Sequence, residues 1–182
     1  MKLKHIVSVL AASTLSLGFA AVLNTPTQAA SDYSFACVKA NDGVWTTVFK
    51  SSRREGNFIR WTSDFGSAAD YTRKQRCLEV SNRLNSYVQQ GQFYLTHGKH
   101  KENNYPIICR TDGEGKGCKG LVYTLDPNSR QKPAQVLKEL LELVGSDFTK
   151  TPVTATSCPL YVNVKSFIQG SSPAAKYVCS SR

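Results

Sequence analysis

Two histidines and six cysteines are the side chains in this sequence best suited to chemistry. His97 and His100 stand three apart in Thr96-His97-Gly98-Lys99-His100-Lys101. Imidazoles at that spacing on a loop can grip a metal ion, or one can act as a general base. Nothing nearby completes either role, because no third ligand and no pair of carboxylates adjoins them. A solvated basic loop at a hairpin tip is the simpler expectation, with no catalytic residue, no metal and no cofactor. The cysteines, Cys37, Cys77, Cys109, Cys118, Cys158 and Cys179, form an even set that reads as three disulfides, with fifteen pairings open. No thiol is left over as a nucleophile. Zinc is the competing use of cysteine, but there is no C-x-x-C pair and the histidines are poorly placed for it.

Other chemistry finds little support. G-x-S-x-G and the P-loop are both missing from the sequence. Gly113-Glu114-Gly115-Lys116-Gly117 has the look of a phosphate cradle, yet it joins two strand-like runs and opens no helix, so it reads as a hairpin turn. Positive charge is the stronger signal. Lys50, Arg53 and Arg54 cluster in one loop, Lys99, His100 and Lys101 in another, and Arg73, Lys74 and Arg76 crowd a helix start, where cations oppose the dipole unless Asp64 or Asp70 compensates. Arg53, Arg54, Arg60, Arg73, Arg76, Lys99 and Lys101 are the anion-binding candidates; ordinary solvated charge is the alternative.

Lys2 and Lys4 precede an apolar run from Ile6 to Leu23, and Thr27-Gln28-Ala29 offers a small-x-small cleavage site, so residues 1–30 are expected to be a secretory leader. An uncleaved anchor is the competing reading, because the run is nearly long enough to span a bilayer. About 150 residues remain, the size of one domain. Twenty-three Lys and Arg against thirteen Asp and Glu give a formal charge of +10, and losing the two leader lysines leaves +8. That excess favours an anionic membrane surface or an acidic envelope component, with nucleic acid less available outside the cytoplasm. Nothing in the sequence sets an oligomeric state.

Periodicity supplies the elements that must position these groups. Strand-like runs at 34–39, 44–50 and 57–61 are separated by turn chemistry. A helix then spans about 72–90, with Gly91 as its stop and Cys77, Val80, Leu84, Tyr87 and Val88 on one face. The pattern repeats with runs at 92–96, 105–111 and 119–125 and a more apolar helix from Pro133 to Val144, closed by Gly145. Residue identity between the halves is slight beyond Trp61-Thr62-x-Asp64 against Tyr123-Thr124-x-Asp126. The expectation is an α+β domain over residues 31–150: an antiparallel sheet of two three-stranded meanders (βββα-βββα), two helices covering one face, and disulfides for support. Residues 151–182 are expected to be a tethered extension with a short strand at 160–164. In this arrangement Cys109 and Cys118 are placed to bridge across a hairpin, Cys37 meets inward-facing Cys77, and Cys158 is left with Cys179.

Phe35-Ala36-Cys37, Asp42-Gly43-x-Trp45-Thr46-Thr47, Ile59-Arg60-Trp61-x-Ser63-Asp64-Phe65, Arg76-Cys77-x-Glu79-Val80-Ser81, Tyr94-Leu95-Thr96, Pro106-Ile107-Ile108-Cys109 and Gly117-Cys118-x-Gly120-Leu121 occur in that order. Together they resemble an exported cyanobacterial family named for a 23-kDa circadian oscillating protein, over about residues 34–145. The resemblance implies a cyanobacterial source, export, and peripheral association with membrane or envelope. It brings no established catalytic site. The functional expectation is a non-enzymatic, exported binding or envelope-associated protein that holds an anionic partner through basic surface. The alternative is a secreted hydrolase of nuclease or phosphodiesterase type with His97 or His100 as base. Periplasm, cell surface and thylakoid lumen all fit such a protein.

Overall fold

The computed structural model describes residues 31–126, 132–142, 158–171 and 173–179. The expected leader, and Leu143, Val144 and Gly145 at the end of the second helix, lie outside the described residues. The first meander forms as β1 (Tyr33–Lys39), β2 (Trp45–Ser51) and β3 (Glu55–Arg60), antiparallel and in that order. After a short 3-10 turn, α1 runs from Arg73 to Gln89. Its cap is Thr72, whose hydroxyl accepts the Gln75 amide at 3.2 Å, and the chain leaves it through Gly91 at φ +107°. The second meander is β4 (Tyr94–Lys99), β5 (Pro106–Thr111) and β6 (Gly120–Thr124), followed by α2 (Pro133–Glu142). Then β7 (Leu160–Asn163), α3 (Val164–Gln169) and β8 (Ala175–Tyr177) complete the described chain.

The α+β class, the meander order and the three disulfides are as expected: Cys37–Cys77, Cys109–Cys118 and Cys158–Cys179, with Cα separations of 5.5, 5.5 and 4.7 Å. The sheet arrangement differs. The meanders form two sheets, one ordered β1-β2-β3 and the other β6-β5-β4-β7-β8. β7 takes the open edge of β4 and β8 pairs with β7, so the expected extension contributes two strands to the second sheet. The helices also divide their attention. α1 packs on β1 and β2 and reaches β6, whereas α2 packs on β4 and β5 and reaches β3.

The core explains this layout. Phe35 and Phe49 face one another across β1 and β2, and Phe58 adds its ring to Phe35 at 4.9 Å and to Phe167 of α3 at 5.9 Å. Leu95, Ile108, Val122, Leu137 and Leu160 extend the same apolar mass through the second sheet. Fully burying a side chain of this kind is worth roughly 1.5–3 kcal/mol, so the aromatic cluster is what makes α3 fold back onto the first sheet.

At the β2 bulge, Thr47 faces the same interior and holds a buried polar node. Its hydroxyl accepts from Trp61 Nε1 at 3.0 Å and from the Ser81 hydroxyl at 3.2 Å, with Cys77 Sγ 3.9 Å away. Thr47→Val keeps the shape but removes the acceptor, leaving a buried indole N–H unanswered. Chemical denaturation is expected to show a loss of about 1–3 kcal/mol. An unchanged midpoint would mean that this hydroxyl does not anchor Trp61.

Candidate functional site

A cleft of about 530 Å³ opens where the two sheets abut. Its first wall is the chain leaving β3, Arg60 to Ser63 and then Phe65; the second is the chain leaving β6, Tyr123 to Asp126; Val136 and Glu139 of α2 close it. The walls meet where the rings of Trp61 and Tyr123 touch edge to face, centroids 5.6 Å apart. Trp61 is almost wholly buried, while Phe65 and Tyr123 keep part of their surface open. Burial and the Glu139 carboxylate push the Tyr123 phenol far above its ordinary pKa, so it stays protonated. Beyond this wall a smaller recess of about 80 Å³ holds Tyr71 and Arg83. There the Tyr71 hydroxyl donates to Glu79, and burial together with that carboxylate pushes its pKa up to about 12.

Arg76 lies between the two cavities and lines both. It is 7% exposed. The guanidinium donates to the Ser63 carbonyl and sits over the Trp61 ring at 5.5 Å, and its Nε is buried with no hydrogen-bond partner. Among the described residues it forms no ion pair. Its pKa is lowered chiefly by burial, because the charged form has lost water, and the neighbouring Asp64 carboxylate offsets only part of that loss.

The other candidate cations are placed very differently. Arg54 donates to the Phe167 and Ile168 carbonyls at the end of α3 and lies over the Phe49 ring at 5.5 Å, so it caps a helix and packs the core. Arg60 pairs with Asp42. Arg73 grips Asp64 through Nε at 2.8 Å and a terminal nitrogen at 2.6 Å, which supplies the compensation expected at the start of α1. Arg53, Lys99 and Lys101 are exposed and carry no ion pair among the described residues. They do not gather. Arg53 lies in the turn between β2 and β3 of the first sheet, whereas Lys99 ends β4 of the second sheet and Lys101 follows it. The structure therefore brings Arg60 and Arg76 together at the cleft and separates the rest.

His97 is a correction. The expected hairpin tip at 97–101 is instead strand as far as Lys99, and the turn begins at His100, whose amide donates to the Tyr105 carbonyl at 2.8 Å. The polar and glycine letters of Thr96-His97-Gly98 suggested a loop, but Gly98 has another purpose. A Cβ there would stand 2.7 Å from Cys118 Sγ, so only glycine lets the strand pass over the Cys109–Cys118 bridge. Neither histidine lines the cleft, and among the described residues no cluster of three His, Cys, Asp or Glu side chains suits a metal. Gly113 to Gly117 lies between β5 and β6, as expected of a turn, with Gly115 at φ +72°.

A family model described as Circadian oscillating protein COP23 matches residues 34–169. The chain belongs to this family. No curated protein and no solved structure matches it significantly. The COP23 match covers the first sheet, the second sheet as far as β7, and α3, so it contains every cleft residue, including those of α2. Three disulfides are the mark of an oxidising, extracellular-type environment, and no helix among the described residues is long and apolar enough to cross a membrane.

Tyr123, Leu125, Val136 and Glu139 are the cleft residues that sequence reasoning did not single out. A signal for part of the set was present, since the two faintly repeated motifs, Trp61-Thr62-x-Asp64 and Tyr123-Thr124-x-Asp126, supply facing walls.

Burial alone holds the His97 pKa below its usual 6.5, and its Nε2 has no hydrogen-bond partner. The unfolded chain thus takes up a proton near pH 6.5 that the native chain refuses. This contribution to stability is full above that pH and declines as pH falls through the unfolded value toward the lower folded one. Asp42, Asp64 and Asp112, held below their usual 3.8 by Arg60, Arg73 and Lys119 respectively, lose theirs at lower pH. Denaturation curves are expected to weaken between roughly pH 7 and 5 for the native sequence and to flatten in His97→Leu. An equal decline in that variant would assign the effect to other groups.

Proposed function

We propose that this COP23 member is an exported, non-enzymatic binding protein that holds an anionic group of an acidic envelope component in the cleft between its sheets. The observation that carries this reading is Arg76: a buried guanidinium lining a cleft, with no ion pair among the described residues. A buried charge without a counter-ion is costly, and a carboxylate or phosphate entering the cleft relieves that cost. The volume falls within the roughly 300–1,000 Å³ of small-ligand sites. The expected leader and the disulfides support export.

A cleft differs from a charged face in what it recognises. It admits a group rather than a plane, and the exposed cations Arg53, Lys99 and Lys101 are too dispersed to form a membrane-binding patch. The partner is therefore a discrete acidic component, with the anionic lipid surface as the competing outcome.

Mature protein should be tested against immobilised acidic polymers and against anionic and zwitterionic vesicles. Filling the cleft with Val136→Trp is expected to abolish retention on an acidic polymer, while the surface triple variant Arg53→Gln, Lys99→Gln, Lys101→Gln retains most of it. The reverse pattern, with salt-sensitive vesicle binding lost in the triple variant, would place the contact on the surface and overturn the cleft reading.

A further inference from the structure

We infer that the cleft takes a uronic acid residue, so that the acidic component is a carboxylated glycan. The inference rests on the cleft being the binding site and names the chemistry that fits it. Three kinds of surface converge there: aromatic rings at Phe65 and Tyr123, one cation without an ion pair at Arg76, and two carboxylates at Asp126 and Glu139. Each constrains the ligand.

Part of each ring stays open at the cleft, and the face of an aromatic ring is negative. A pyranose, whose flat face carries weakly positive C–H groups, lies well on such a surface. Arg76 calls for one negative group, and a carboxylate accepts paired N–H bonds from a guanidinium. The carboxylates exclude much of what remains. A phosphate or sulfate cluster would bring several negative charges into a small cleft already holding Asp126 and Glu139, and like charges at that range repel. An apolar acid would take water from those carboxylates and supply no donor in its place. A zwitterion such as a free amino acid would set a full ammonium charge against them, but Asp126 and Glu139 already have partners within the protein. A carboxylate accepts more than one hydrogen bond, which suits neutral donors such as sugar hydroxyls. A uronate combines these features: one carboxylate, several hydroxyls and an apolar ring face.

Calorimetric titration of the mature protein with a short oligogalacturonate tests this. Its counterpart with the carboxylates reduced to alcohols, the free amino acids, inorganic phosphate and anionic vesicles complete the set. The oligogalacturonate is expected to bind saturably, and the reduced form to bind roughly 10- to 100-fold more weakly, the loss of one charge-assisted contact. Val136→Trp, shown folded by its circular dichroism, is expected to bind neither. The comparison of acid with alcohol needs no variant, so it stands even if that protein misfolds. Equal affinity for acid and alcohol would overturn the role given to Arg76 and with it the anionic-cleft reading. Unchanged uronate binding in folded Val136→Trp would move the site elsewhere and overturn both readings. No uronate binding, alongside cleft-dependent binding of phosphate or an amino acid, would overturn the sugar alone.

Discussion

Backbone groups at an open strand edge need partners, and in this protein one helix answers them for both sheets. The sheets share no strand pairing, so their relative position depends on side chains that reach main chain. On the first sheet, Asn85 of α1 both donates to and accepts from the backbone of Phe35 at 2.8 Å, acting as a short surrogate strand along β1. On the second, Arg83 donates to the Val122 carbonyl at 2.5 Å and Tyr87 to the Leu121 carbonyl at 2.8 Å, along β6. At these points α1 occupies backbone groups that a foreign strand would need. The Cys37–Cys77 bridge then fixes α1 to β1 covalently. Gly120 belongs to the same device, because a Cβ there would meet the Tyr87 hydroxyl at 2.6 Å.

The cleft follows from that construction. Sheets joined by a helix on one side, without a shared ladder, leave a gap where the chain exits β3 and β6. The gap has a rough symmetry: each meander ends in an aromatic residue followed by threonine, each helix touches the last strand of the other meander, and Trp61 meets Tyr123 where the halves join. The departures from symmetry carry the chemistry. Asp64 on one side is occupied by Arg73 and lies outside the cleft, whereas Asp126 on the other lines it. Arg76 has no counterpart among the cleft residues of α2, so charge is positive toward α1 and negative toward α2.

Much of the architecture was legible because it rests on local period and turn chemistry. Both meanders, the capped first helix and the sites of all three bridges come from patterns a few residues long. What escaped depends on contacts far apart in sequence. Asn85 lies off the apolar face of the helical pattern, and nothing in that pattern reveals that its amide matches a strand edge 50 residues away. Arg54 looked like loop charge and proved to be the cap of a helix more than a hundred residues on. His97 was assigned to a loop because glycine and polar letters imitate one; the bridge beneath Gly98 is a tertiary reason for glycine. Arg60 and Arg76 stand out by charge, but that only one of them lacks an ion pair among the described residues is a property of packing.

Strand order has a consequence for how the molecule is made. β4 sits at the centre of the five-stranded sheet, yet its partner on one side, β7, follows it by more than sixty residues. Synthesis runs from the N-terminus, so the first meander, α1 and the β4-β5-β6 ribbon exist before β7 does. Until the last segment arrives, Tyr94 and Leu95 lack their strand partners, and Phe49 and Phe58 lack the ring of Phe167 that packs against them. Completion is thus a late event, and the nascent chain stays open to capture by chaperones until β7 and α3 have been produced.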